Sequence, residues 1–337
     1  MREPGPGAQF AHGELASNWL RPSTRHYSLK RISSVQFRAG TMQLDRQCSQ
    51  SAPAAKLRVR EIVESDLAAV AALLARGFPF RSTEYWLRGL QRQGRRSRPH
   101  GYPAFGYCLD RAGAPVGVIL LLFSNVVAGE ETLVRCNVSS WYVEPDYRAF
   151  ASLLVRSATR DKNVTYFNIT PAPHTWSTVE AQGFSVYCKG QVYGALALSS
   201  SAPDASVELF SEEHACRLTR YEADLLRQHA AFGCLSLAVR EGRNCHPFVF
   251  QRHRVKNLVP VYRLIYCRDI GDLRRFAGNL GRFLAWRGGL LIRFDANCPV
   301  PGVVGWYSEK RGRKYAKGPK PPRLGDLAFT EAAIFDS

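Results

Sequence analysis

The chain has 337 residues, above the size at which one hydrophobic core usually keeps growing, so two domains are expected. Hydrophobic residues make up 45% and charged residues 22%, which excludes wholesale disorder. Lys and Arg number 46 against 28 Asp and Glu; the net +18 suits a polyanion such as nucleic acid, anionic lipid or nucleotide phosphates, or simply a solvated basic surface.

The nine cysteines form no CxxC pair and stand at no zinc-finger spacing from a His, so neither a structural metal nor a disulfide framework is expected. A reducing, cytoplasmic setting is the reading that follows. The longest unbroken apolar run, Val116 to Phe123, is far short of the ~20 residues of a membrane helix and reads as a buried strand.

Residues 1–55 carry Pro4, Gly5, Pro6, Gly7 and Pro22 with many Ser and Arg, and read as a disordered extension. Their Arg-rich character suits a transit peptide or a non-native extension ahead of a start at Met42, and the second reading is preferred because a recognisable domain begins only at Leu57. Residues 56–198 and 199–337 are the two expected domains. In the first, residues 57–63 alternate as a strand, Ser65 caps a helix ending at Gly77, and Ser82 starts a second helix. Strands are predicted at 104–109, 116–124 and 133–143, followed by a turn, a helix, a strand at Val164, and a short helix that stops at Gly183. In the second domain helices are expected at 207–216 and, behind the capping box Thr219-x-x-Glu222, up to Gly233. Strands at 234–239, 247–251 and 262–267, a helix at 273–286 and a strand at 290–294 then repeat the first order. Arg148-Ala-Phe-Ala-Ser-x-Leu-x-Arg156 aligns with Arg274-Arg-Phe-Ala-Gly-x-Leu-x-Arg282, which supports an internal duplication.

A small-residue turn from a strand into a helix gathers backbone N–H groups and the positive helix end where a pyrophosphate can sit. Val143-Glu-Pro145-Asp-Tyr147-Arg148-x-x-Ala151 is such a turn, and with Asn168 and Gly183-Phe184 it resembles the GNAT superfamily of acyl-CoA-dependent N-acyltransferases. The chain is similar to bacterial acyl-CoA acyltransferases with two such units in tandem. The resemblance implies an α+β fold: two tandem GNAT-like units, each a mixed, twisted sheet with helices on both faces, the second degenerate. It implies that Trp141, Tyr142 and Val143 pair with the pantetheine arm of acetyl-CoA or another acyl-CoA. Tyr147, Arg148, Ala149, Ala151 and Ser152 would form the pyrophosphate turn, with Asn168 at the end of the next strand. Two positions depart from the family pattern: Leu153 replaces a small residue, and Val179 replaces the Tyr that protonates the leaving thiolate.

His174, in the turn with Trp176, is a candidate proton shuttle or a solvated turn residue. Glu144 and Asp146 are candidate bases or ordinary first-turn acids. Glu309 to Arg323, with seven cations around Tyr315, reads as a nucleic-acid patch, a phosphate or substrate clamp, or a solvated loop before a final strand at 327–335. The expected function is transfer of an acyl group, acetyl first, from acyl-CoA to an amine. The alternative is a catalytically inactive GNAT-like binding module whose basic surface holds a polyanion such as nucleic acid.

Overall fold

A computed structural model describes residues 56–128, 131–255 and 259–335. The readings of residues 1–55, disorder and a start at Met42 among them, lie outside the described residues.

The first half runs β1 (Leu57–Glu61), α1 (Leu67–Gly77), α2 (Thr83–Arg95), β2 (Gly106–Arg111), β3 (Ala114–Ala128), β4 (Glu131–Val143), α3 (Ala151–Ala158), β5 (Thr165–Asn168), α4 (Trp176–Ala181), β6 (Ser185–Cys188) and β7 (Gly190–Gly194). The second runs β8 (Ala205–Leu209), α5 (Glu212–Ala215), α6 (Arg220–Ala231), β9 (Leu235–Glu241), β10 (Asn244–Val255), β11 (Val259–Cys267), α7 (Ile270–Arg275), α8 (Ala277–Ala285), β12 (Leu291–Ala296), β13 (Gly305–Ser308), β14 (Lys314–Lys317) and α9 (Glu331–Ile334). Local chemistry sets several of these ends. Ser82 Oγ accepts from Tyr85 N at the start of α2, and Thr219 with Glu222 forms the predicted capping box of α6. The predicted helix at 207–216 is instead strand β8 followed by the short α5, because Val207 and Leu209 alternate with polar neighbours along the edge of β9.

Two seven-stranded mixed sheets result, in the orders β1-β2-β3-β4-β5-β14-β6 and β13-β7-β12-β11-β10-β9-β8. Each crossover, β4-α3-β5 and β11-α7-α8-β12, gives a parallel pair, and every other pairing is antiparallel. Leu154, Val155, Val179 and Phe184 cover one face of the first sheet. Leu273, Phe276, Leu280 and Leu284 cover the same face of the second. A third cluster, with Phe167, Val249, Ile265 and Leu327, joins residues of both halves.

The expected boundary at 198/199 is crossed in both directions. β14, from the basic segment, lies between β5 and β6, with Tyr315 opposite Asn168 and Val186. β7 lies between β12 and β13. The halves therefore exchange their inner strands. Glycine makes the second exchange possible, because a Cβ on Gly305 would stand 2.3 Å from Tyr193 O.

This exchange corrects the readings of 309–335. Lys314 is 0% exposed and donates to Asp295 Oδ1 at 2.7 Å and Gly312 O at 2.9 Å. A buried ammonium persists only with such partners. Lys317 donates to Gln182 O, Lys320 pairs with Glu131, Arg323 donates to Cys267 O, and Arg313 stands over the Trp176 ring. The middle of the basic segment is thus a buried strand in place of a solvated loop, with Lys314 and Lys317 committed inside the fold, while Lys310, Arg311, Lys320 and Arg323 stay exposed. The run 327–335 is no strand. A left-handed Phe329 (φ 59°) turns it into α9, with Phe329 N donating to His229 Nε2 at 3.1 Å. Among the described residues every cysteine is free, and no helix is long and apolar enough to cross a membrane.

Candidate functional site

In the first sheet β4 and β5 pair only over Arg135↔Thr165, Cys136↔Tyr166 and Asn137↔Phe167, after which β4 continues to Val143 without β5. A bulge drives them apart. Leu120 stands opposite Ser139 but Val118 opposite Tyr142, and Ser140 is held at φ 44°. An extra residue of this kind increases local twist and bends its strand. A narrow cavity of about 40 Å³ opens in the split, lined by Val138, Ser139, Ser140, Trp141, Asn168 and Gln182 among others. Trp141 and Asn168 thus come together at one gap. Tyr142 and Val143 are buried, Tyr142 against Gly77 and Phe78 of the opposite face.

β4 exits through a 3-10 turn, Pro145–Phe150, into α3. Pro145 fits the first turn because it has no N–H to satisfy. Tyr147 anchors the turn: its ring lies beneath the Arg111 guanidinium at 5.5 Å, and its hydroxyl accepts from Arg111. Arg148 is half-buried in the turn, Ala149 and Ser152 are exposed, and Ala151 packs on the core. Leu153 is 43% exposed and points away from the core, so the extra bulk stands at the surface of α3. Val179 is buried in the core, and Tyr315 of the exchanged strand donates to its neighbour Glu180 at 2.8 Å.

Of the two catalytic candidates read from sequence, Glu144 is in an ion pair with Arg76 at 2.6 Å, and His174 is exposed in a 3-10 turn. Neither lines the split. A carboxylate that sequence reasoning missed is tied to both strands beside the split, although it too is absent from the cavity lining. Glu331 N donates to Asn137 Oδ1 at 2.8 Å, while its carboxylate accepts from Ser139 Oγ on β4 and Thr170 Oγ1 beyond β5. The segment is fixed by Asp326, which receives both Nη atoms of Arg135 at 2.9 Å with both side chains buried. Burial alone would raise the Asp326 carboxyl, but the Arg135 guanidinium holds it below the usual range. The signal for Glu331 was available: it is the lone acid in the apolar run Leu327 to Phe335.

The second sheet repeats the split and fills it. β11 and β12 pair over Val261↔Leu291, Tyr262↔Ile292 and Arg263↔Arg293, and a bulge again follows in the fourth strand. Here the open edge is taken: Cys267 N donates to Gly325 O at 2.9 Å, and Leu327 N to Ile265 O at 2.7 Å. The start of α8, where a phosphate would sit, is covered by the linker. Gly278 N donates to Ser200 O at 2.9 Å, and a Cβ there would lie 2.4 Å from Ser199 O. Among the described residues no cluster of metal-ligating side chains occurs.

No protein-family model matches this chain, and no curated protein matches it. Solved structures do. A GCN5-related N-acetyltransferase from Kribbella flavida aligns over 78% of this chain and 71% of its own, with TM-score 0.50 at 15% identity. A conserved protein from Enterococcus faecalis V583 aligns over 81% and 73%, with TM-score 0.51 at 9% identity. The glucosamine N-acetyltransferase region of a fungal multi-domain GH3 β-N-acetylglucosaminidase aligns over 79% of this chain and 38% of that one, with TM-score 0.51 at 13% identity. The described chain is therefore built from two tandem units of the GCN5-related N-acetyltransferase (GNAT) fold.

Proposed function

We propose that the protein is an acyl-CoA-dependent N-acyltransferase whose single working site lies in the first unit. The observation that carries this reading is the contrast between the splits: one is open with a carboxylate beside it, and the other is filled by the chain itself. The β4 edge from Ser139 to Val143 would pair with the pantetheine amides, and the turn from Tyr147 to Ser152, with Arg148, would hold the pyrophosphate. The cavity is narrow, so the arm would enter by widening it.

Glu331 would take a proton from the acceptor ammonium. The freed amine then attacks the thioester carbonyl, the C–N bond forms, the C–S bond breaks, and the departing thiolate takes the second amine proton. Such a reaction depends chiefly on orientation, with a general base contributing about 10²–10⁴-fold. The test is calorimetric titration with acetyl-CoA and with longer acyl-CoAs. Binding that weakens in Arg148→Ala supports the site. Absence of binding by every acyl-CoA removes the enzyme reading, and binding unchanged in Arg148→Ala moves the site elsewhere.

What favours the enzyme reading over the binding module is that Lys314 and Lys317, at the centre of the basic segment, are committed to partners within the fold.

A further inference from the structure

At the end of the second sheet opposite the filled split, β7 finishes and β12 and β13 begin. Ile292 is opposite Gly194, Gly194 is opposite Gly305, and Ala195 N donates to Val304 O at 2.9 Å, so these strand ends lie side by side. Large apolar side chains are exposed around them: Val304 and Trp306 at the start of β13, Leu290 ahead of β12, Trp286 at the end of α8, and Leu198 beside α8. Trp286 is 91% exposed and Leu290 70%. A lone exposed apolar residue is ordinary, but several gathered at one place mark a surface that meets something apolar.

Trp286 and Leu290 stand on either side of a fixed turn. α8 ends in a Schellman motif: Gly289 N donates to Leu284 O at 3.0 Å and Gly288 N to Ala285 O at 2.8 Å, with Gly288 in the left-handed region at φ 81°. The turn is seated on the sheet, since a Cβ on Gly289 would stand 2.1 Å from the Tyr262 ring. The exposure of the two side chains is therefore built into the backbone, not the property of a loose loop.

Two exposed cations flank the same turn. The Arg287 guanidinium lies over the Phe283 ring at 3.8 Å, and Arg252 comes within 3.9 Å of where a Cβ on Gly288 would be. Neither is in an ion pair among the described residues. Acids are scarce in the segments that build this end. Gly242 to Arg268 contains none, and Leu273 to Ser308 contains Asp295 alone, buried against Lys314 at 2.7 Å. Asp204 lies toward the other end of α8, where Asn279 bonds Ala202 and Ala205, and Glu309, past β13, accepts from the Tyr307 hydroxyl.

An apolar tip flanked by guanidinium groups fits a surface that is apolar within and anionic at its rim. A second copy of this face does not fit it, because a two-fold contact would set Arg252 and Arg287 against their own counterparts with no carboxylate to meet them. We propose that this end of the second unit docks on an anionic lipid bilayer. Trp286 and Leu290 enter the boundary between headgroups and acyl chains, where an indole is at home, and Arg252 and Arg287 meet the lipid phosphates. The inference does not depend on the acyltransferase reading.

The test is co-sedimentation of the full chain with vesicles of phosphatidylcholine alone and of phosphatidylcholine mixed equally with phosphatidylglycerol. Partition should be about 10-fold stronger onto the anionic vesicles. Trp286→Ser with Leu290→Ser, both at exposed positions, should weaken it about 10-fold, and Arg252→Glu with Arg287→Glu should remove the preference for anionic lipid. A chain of net +18 attracts anionic vesicles in any orientation, so Lys310→Glu with Arg311→Glu, the same charge change at other exposed positions, is the control and should keep most of the binding. Equal or absent partition onto the two vesicle types, a loss in the control as large as in Arg252→Glu with Arg287→Glu, or binding undiminished by the paired Trp286 and Leu290 changes overturns the proposal. A dimer in sedimentation velocity that those paired changes dissolve also overturns it and assigns the face to a second copy.

Discussion

In the first sheet β4 leaves β5 after Asn137 and the gap stays open; in the second β11 leaves β12 after Arg263 and the gap is closed by Gly325 to Leu327. Both fourth strands carry a bulge, and both are followed by a turn into a helix. The difference lies in one C-terminal segment that serves both units. Its first part supplies a strand-like edge to β11, and its last part, α9, delivers Glu331 to the side of the first split. The same segment thus fills the split of one unit and borders that of the other.

The contrast between the two units is most sensitive at Glu331. Glu331→Gln keeps the side-chain shape and its acceptor oxygen but removes the proposed base, so kcat should fall about 10²–10⁴-fold while acyl-CoA affinity holds. Steady-state kinetics with a thiol-release readout checks this. An unchanged kcat would leave α9 a purely structural plug.

The common segment should also be a stability hinge. Arg135→Ala leaves Asp326 buried without its bidentate partner, and a broken buried pair costs about 3–5 kcal/mol. The urea midpoint should drop accordingly with the slope of the transition unchanged. A loss under 1 kcal/mol would mean that the segment is held by its apolar contacts instead.

How far the sequence reveals this arrangement depends on how local each feature is. The repeated strand and helix order is legible because periodicity and caps such as Ser82 and Thr219-x-x-Glu222 act within a few residues. The strand exchange is not, since Lys-Tyr-Ala-Lys at 314–317 becomes a buried strand only through Asp295, Glu180 and Gln182, residues distant in the chain. The apolar run at 327–335 reads equally as strand or short buried helix, and the left-handed Phe329 that decides the matter is stabilised by His229, a hundred residues away. The split in β4 is partly legible through the family-like turn behind it. Its bulge at Ser140 has no sequence mark, and Glu331 was passed over because it stands outside the matching motif.

His229 gives the segment a pH dependence. Burial pushes its imidazole down to about 4, although its contact with Leu225 O opposes this. The neutral ring donates to Leu225 and accepts from Phe329 N, so the folded state resists protonation. Stability from this group is full above about pH 6.5 and is lost as the pH falls toward 4, by on the order of 3 kcal/mol. Denaturant unfolding across that window should show the slope, and His229→Gln should flatten it.

The smallest expected effect tests the closed side alone. Gly278→Ala pushes a Cβ against Ser199 O and Ser200 O and should cost about 1–3 kcal/mol without lowering acyl-CoA affinity. Its counterpart Ser152→Ala, exposed in the open unit, should stay within about 0.5 kcal/mol. Thermal melts of the two variants provide the measurement.

On the proposed function, one unit of the pair binds acyl-CoA and the other is occupied by the chain itself. Native mass spectrometry of the full chain with a saturating acyl-CoA counts the sites directly. One molecule per chain, lost in Arg148→Ala and retained in Gly278→Ala, is the predicted result. Two molecules per chain, or one that depends on Gly278 and not on Arg148, would contradict it.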